Sequence, residues 1–186
     1  MSPAQNKNVV GITGAKEIAL LETLINSMPD LLFGKDIQGR YLVCNDAFAR
    51  LFVGLPKAKI IGKTDRELFS GKNKTRLEFI LEKDNEVIKF GKDIKVEWKT
   101  KLANGKEVIL ETIKTQFKDE KGKLLGLVGV SRDITLRKKE EEEFAERMRQ
   151  SELLNKVMVD REIKMAELKK EIVDLKEQFS KNHEKK

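Results

Sequence analysis

From Leu136 to its last residue this 186-residue chain contains neither glycine nor proline. A charged stretch so free of helix breakers has one regular structure open to it, a long solvated helix. Phe144, Leu154, Met158, Met165, Leu168, Ile172, Leu175 and Phe179 fall on the a and d positions of one heptad register, and Arg147, Ser151 and Arg161 occupy the slots between them. Alone, such a helix would leave its seam in water, whereas burying each large side chain contributes about 1.5–3 kcal/mol. The stretch 136–180 is therefore expected to be a coiled coil that pairs two copies into a homodimer, weakest in its first half. Folding back onto the chain's own globular part is the competing solution, but a packing helix shows a broader apolar stripe than this one.

Upstream, the pattern changes from one element to the next. Over 15–28 the residues Ile18, Leu21, Ile25 and Met28 recur at steps of three and four, predicting a short amphipathic helix that Pro29 ends. LLFGKD and RYLVCN read as a hairpin around Gly39, followed by brief helical pieces in NDAFARLF and TDRELF. Thr64 with Glu67 has capping-box spacing, and so does Thr75 with Glu78, which is expected to open a longer helix through Phe90. DIKVEWKTKL alternates strictly, Asn104-Gly105 marks a hairpin into EVILETIKTQF, and the near-continuous apolar run LLGLVGVSRDI predicts a strand buried on both faces. The expected organisation is a tail over 1–14, a helix over 15–28, a globular module over 29–135, the coiled coil over 136–180 and a frayed tail over 181–186.

Composition excludes several functions. The net charge of +7 invites a nucleic-acid reading, yet the excess is scattered over the globular part. The mild concentration at Lys57, Lys59, Lys63, Arg66, Lys72, Lys74 and Arg76 lacks interleaved aromatics, so a solvated basic face is favoured over a site for an acidic partner and no nucleic acid is expected. One cysteine, Cys44, and one histidine, His183, argue against a disulfide and against a metal site. No apolar run reaches the roughly 18 residues of a membrane span, and the start lacks a signal peptide's pattern, so a soluble cytoplasmic protein is expected unless the chain is part of a longer one. GITGAK at 11–16 lacks the spacing of a phosphate loop, and His183-Glu184 lacks the residues that follow a phosphoacceptor histidine. No catalytic constellation emerges, so an enzyme is not expected.

MPDLLFGKDIQGRYLVCNDAF at 28–48, IIGKTDRELF at 60–69, the Asn104-Gly105 hairpin and GLVGVSRDIT at 126–135 occur in an order that resembles the PAS domain of bacterial signalling proteins, S-box type. The helix beyond is similar to the connectors of sensor kinases and related transducers. The resemblance implies an α+β fold, a five-stranded antiparallel sheet with small helices on one face, and a pocket between them. Mapped here, that pocket is expected to be lined by Phe48, Phe52, Ile80, Leu81, Asp84, Trp98, Val128 and Val130, residues that also suit a plain core. No cofactor is predicted. Haem bound through histidine is disfavoured because 75–90 contains none, and Cys44 lacks the setting of a photoactive cysteine, while a noncovalent flavin or small apolar ligand stays open. Asp84, amid apolar residues, sits in water at the helix edge, holds a partner or touches a polar ligand.

At the exit, the resemblance implies that Arg132, Asp133 and Thr135 couple the last strand to the helix, and either Asp133 or Thr135 can cap the helix amino end. The function expected is a sensory module that dimerises and relays a conformational signal through its coiled coil to an output domain or downstream signalling protein, as in two-component or diguanylate cyclase pathways. The alternative is a ligand-free scaffold for dimerisation and protein interaction.

Overall fold

A computed structural model describes residues 14–69, 71 and 74–183, except for the side chains of 174, 175 and 177–183. Most of the tail expected over 1–14, Lys72, and the side chains of Leu175, Phe179 and His183 lie outside the described residues. The chain divides into two units, Met1–Thr135 and Leu136–Lys186.

The first unit is built on five antiparallel strands: β1 (Leu31–Asp36), β2 (Tyr41–Cys44), β3 (Ile94–Lys101), β4 (Glu107–Lys118) and β5 (Leu124–Asp133), in the order β2-β1-β5-β4-β3. One device makes its three hairpin turns. Asp36, Asn104 and Asp119 each accept, through a side-chain oxygen, the amide two residues on, at 2.9–3.0 Å, as turn residues of this type do. Gly39, with φ +79°, then supplies the left-handed step that closes the first hairpin.

Helix α1 (Gly14–Ser27) precedes the sheet, while α2 (Asp65–Phe69) and α3 (Lys74–Phe90) lie between β2 and β3. The expected stripe on α1 is not buried: Ile18, Leu21 and Met28 are exposed. Thr64 caps α2 as its spacing requires, donating to and accepting from Glu67, whose carboxyl these bonds hold down at about 2. Thr75 does not cap α3, because that helix begins at Lys74 and Thr75 lies inside it. The piece NDAFARLF widens into a π-helical turn, Phe48–Val53. Asn45 fixes where it starts: its Oδ1 accepts the amides of Leu32 and Phe48, and its Nδ2 donates to the carbonyls of Ile25, Met28 and Asp30.

The core lies between one sheet face and these helices. Alternation aims Leu31, Phe33 and Lys35 of β1, Leu110, Thr112 and Lys114 of β4, and Ile94 of β3 inward. Phe33, Phe48, Phe52 and Trp98 form a run of ring contacts with centroids 5.1–6.2 Å apart. On α3 the buried residues are Ile80, Asp84 and Val87, one stripe at steps of four and three.

Strand β5 corrects the expectation of burial on both faces. Val128 and Val130 are 38% and 36% exposed on the sheet's outer face, with Ile113 and Phe117, while Leu127, Gly129 and Ser131 point inward. A Cβ at Gly129 would run into the Phe33 ring, so close approach of β1 and β5 reserves that inward place for glycine.

Helix α4 (Thr135–His183) starts on the last residue of the first unit and forms the second from Leu136 on. Its seam residues Phe144, Leu154, Met158, Met165, Leu168 and Ile172 are 43–65% exposed. Among the described residues no helix is long and apolar enough to cross a membrane.

Candidate functional site

Five elements converge on a buried layer of ions. Lys35 of β1 and Lys114 of β4 come from the sheet, Asp65 opens α2, Asp84 sits mid-stripe on α3, and Tyr41 begins β2. Lys35 Nζ donates to Asp65 and to Asp84 Oδ2 at 2.7 Å, Lys114 Nζ donates to Asp84 Oδ1 at 2.5 Å, and the Tyr41 hydroxyl donates to Asp65 Oδ1 at 2.7 Å. Charges removed from water this far persist only when paired. Burial alone would raise the Asp84 pKa, but Lys35 and Lys114 hold its carboxyl below the usual range. Burial likewise opposes the charge on Lys35, yet Asp84 and Asp65 outweigh it and its pKa is raised. For Lys114 the balance reverses, because burial outweighs its share of Asp84 and lowers its pKa. Burial, then Asp65, pushes the Tyr41 phenol well up.

This layer separates two hollows. Beneath the sheet lies a cavity of about 20 Å³, room for about one water molecule, walled by aromatic rings and by Lys35, Lys114, Thr112 and Ser131. On the other side is an outer pocket of about 180 Å³, lined in part by Asp36, Thr64, Asp65, Arg66, Leu81 and Asp84. The cations thus face the cavity and their carboxylates face the outer pocket.

Of the residues expected at the pocket, Phe48, Phe52, Ile80 and Trp98 line the cavity. Leu81 and Asp84 line the outer pocket, and Asp84 holds partners rather than standing in water. Val128 and Val130 line neither, since β5 turns them to the opposite face of the sheet. Sequence reasoning missed Lys35, Lys114, Tyr41, Asp65, Thr112 and Ser131. The signal for the two lysines is period two: Leu31, Phe33 and Lys35 share a strand face, as do Leu110, Thr112 and Lys114.

A chain of hydroxyls leads from the cavity towards the exit of the sheet. Trp98 Nε1 donates to Thr112 Oγ1 at 2.9 Å, and Thr112 Oγ1 meets Ser131 Oγ at 2.8 Å. The next residue, Arg132, grips both carboxylate oxygens of Asp30 at 2.7–3.2 Å. Asp133 Oδ1 accepts the Thr135 amide at 2.9 Å and its hydroxyl at 2.5 Å, while Thr135 Oγ1 accepts the Ile109 amide at 2.9 Å. Partial burial would raise the Asp133 pKa, but these bonds from Thr135 bring it below the usual value. Thr135 thus ties the first residue of α4 to both β5 and β4.

A family model described as the PAS fold matches residues 25–139, more than half of the chain. The chain belongs to the PAS fold family. Among curated relatives, the methanogenesis regulatory histidine kinase FilI of Methanothrix harundinacea is 30% identical over 113 residues, which are 61% of this chain and 12% of that protein. The aerobic respiration control sensor protein ArcB of Escherichia coli is 24% identical over 124 residues, 67% of this chain and 15% of the relative. The PAS match thus spans a small part of either relative's length. Among solved structures, the PAS domain of Bordetella pertussis BvgS aligns with TM-score 0.52 at 21% identity, covering 71% of this chain and 96% of that one. That likeness concerns the five-stranded antiparallel PAS fold, and the kinship with sensor histidine kinases supports a sensory or regulatory role.

Proposed function

We propose that this PAS module senses a state of its cavity, dimerises through α4 and relays the change along that helix to an output domain or partner in a cytoplasmic signalling pathway, without catalysing a reaction itself. One observation carries this reading: Ser131 lines the cavity and is followed by Arg132, which grips Asp30, and then by Asp133, whose bonds to Thr135 fix the start of α4. A change that moves Ser131 reaches Asp133 through two peptide units. The relatives' names, a regulatory histidine kinase and a respiration control sensor, point the same way. The exposed seam of α4 supplies the reason to pair, since apolar side chains at heptad spacing gain most by facing a second copy.

The size of the cavity favours a second reading. Room for about one water molecule suits a ligand-free scaffold whose task is dimerisation and partner choice. Sedimentation and hydrogen exchange separate the two. The relay predicts a dimer at micromolar concentration, and it predicts that Trp98→Ala, which empties part of the cavity wall, alters amide protection over 131–144. A dimer whose exit amides ignore Trp98→Ala leaves the scaffold, and a monomer sinks both.

A further inference from the structure

The charged lining of the cavity is cationic. Lys35 and Lys114 reach it, while Asp65 and Asp84, which balance them, line the outer pocket. The two ammoniums are not equally served. Lys35 has Asp65 and one oxygen of Asp84, and its charge also lies 4.6 Å from the centre of the Tyr41 ring. Lys114 Nζ has three N–H groups, and among the described residues it meets one oxygen acceptor, Asp84 Oδ1, with the centre of the Phe33 ring further off at 5.9 Å. Arg76, stacked on the Phe52 ring at 3.9 Å, adds positive charge behind an aromatic wall of the same cavity.

The remaining walls are rings. Phe79 and Trp98, stacked at 4.8 Å and both only half-buried, lie on the flank least enclosed by the core. A flat ring that parts them meets an aromatic face on each side, the arrangement in which such rings already rest.

We propose that the cavity receives a small aromatic monocarboxylate, its carboxylate on Lys114 Nζ near the Thr112 and Ser131 hydroxyls and its ring between Phe79 and Trp98. This rests on the reading of the cavity as the module's input site. A carboxylate gives Lys114 a second, charge-assisted acceptor where low dielectric strengthens it. An ammonium ligand meets two like charges, and a hydrocarbon leaves the Lys114 donors unmet. The hollow itself holds about one water molecule, so the guest is kept small and its ring takes the room opened as Phe79 moves away from Trp98. Once there, it stands against Ser131, the residue adjoining the exit joint.

The test titrates the whole chain with benzoate, benzamide, toluene and benzylamine, followed by calorimetry and by the emission of Trp98, its one tryptophan. Benzoate is expected to bind at least about tenfold more tightly than the other three, a gap of about 1.4 kcal/mol. Lys114→Gln is expected to remove that preference and leave benzamide within about twofold. Benzamide, toluene or benzylamine binding as tightly as benzoate overturns the ligand class while leaving the cavity as an input site. No binding by any probe up to about 10 mM overturns the proposal as well, and the relay then stands or falls on its own test. The wild-type panel decides these outcomes even if Lys114→Gln does not fold.

Discussion

Asp84 divides its two carboxylate oxygens between two buried lysines from different strands, so its loss leaves Lys114 without a carboxylate and Lys35 with Asp65 alone. Asp84→Asn keeps the shape and removes the charge. Lys35 retains Asp65, but Lys114 is left with an amide oxygen, and the expected destabilisation is about 3–5 kcal/mol, read as a drop in the urea midpoint at neutral pH. The acid limb follows from the same pair. Because the Asp84 pKa is lower in the folded chain, the unfolded chain takes up this proton first. The contribution is complete above the unfolded value of about 3.9 and is lost as pH falls through the folded one. Plotting urea midpoint against pH for both proteins checks the sign: the variant's curve is expected to be flatter below about pH 4. An apolar-faced carboxylate on a helix can be read from sequence, which is why Asp84 stood out. Its partners could not be read, because lysines are mostly solvated and only the pairing of strands decides which lysines point inward.

At the scale of elements, the joint between β5 and α4 depends on the Thr135 hydroxyl, which donates to Asp133 while accepting from the Ile109 amide. Thr135→Val keeps the shape and removes both bonds. The expected cost is about 1–2 kcal/mol, with faster hydrogen exchange at the Ile109 amide, whereas Thr135→Ser is expected to restore the protection. Most strands could be read from sequence because turn residues and alternation agreed. DIKVEWKTKL became β3, and LLFGKD became β1 residue for residue. Strand β5 could not be oriented because its pattern is partly inverted: two valines, Val128 and Val130, face outward, while beside Leu127 the inward places go to Gly129 and Ser131. Two partners caused the inversion, the Phe33 ring that excludes a Cβ at 129 and the Thr112 hydroxyl that meets Ser131, and neither lies near β5 in sequence. The fold was thus more legible than the site, since hairpins are local and the cavity wall is assembled across the sheet.

For the whole molecule the proposed dimer rests on a seam that is uneven along its length. Apolar side chains run without interruption through Met165, Leu168 and Ile172, whereas Arg147, Ser151 and Arg161 interrupt the earlier heptads. A helix pair of this kind is held at the far end and loose near the sheet, a distribution suited to two packings that differ by only a few kcal/mol. A charge placed in an apolar layer and an apolar residue placed in a polar one should therefore have opposite effects. Leu168→Lys with Ile172→Lys puts like charges into the tight part, and sedimentation is expected to show monomer at concentrations where the parent chain is dimeric. Near-ultraviolet circular dichroism is expected to remain unchanged, because Trp98 and Tyr41 belong to the first unit. Arg161→Leu instead fills a weak layer, adding about 1.5–3 kcal/mol of apolar burial per copy and tightening the dimer. If the loose heptads are the switchable part, that tighter dimer also loses any response of exit-helix exchange to Trp98→Ala. Retention of the full response in Arg161→Leu assigns the relay to the corner at Arg132–Thr135 alone and removes the heptads from it.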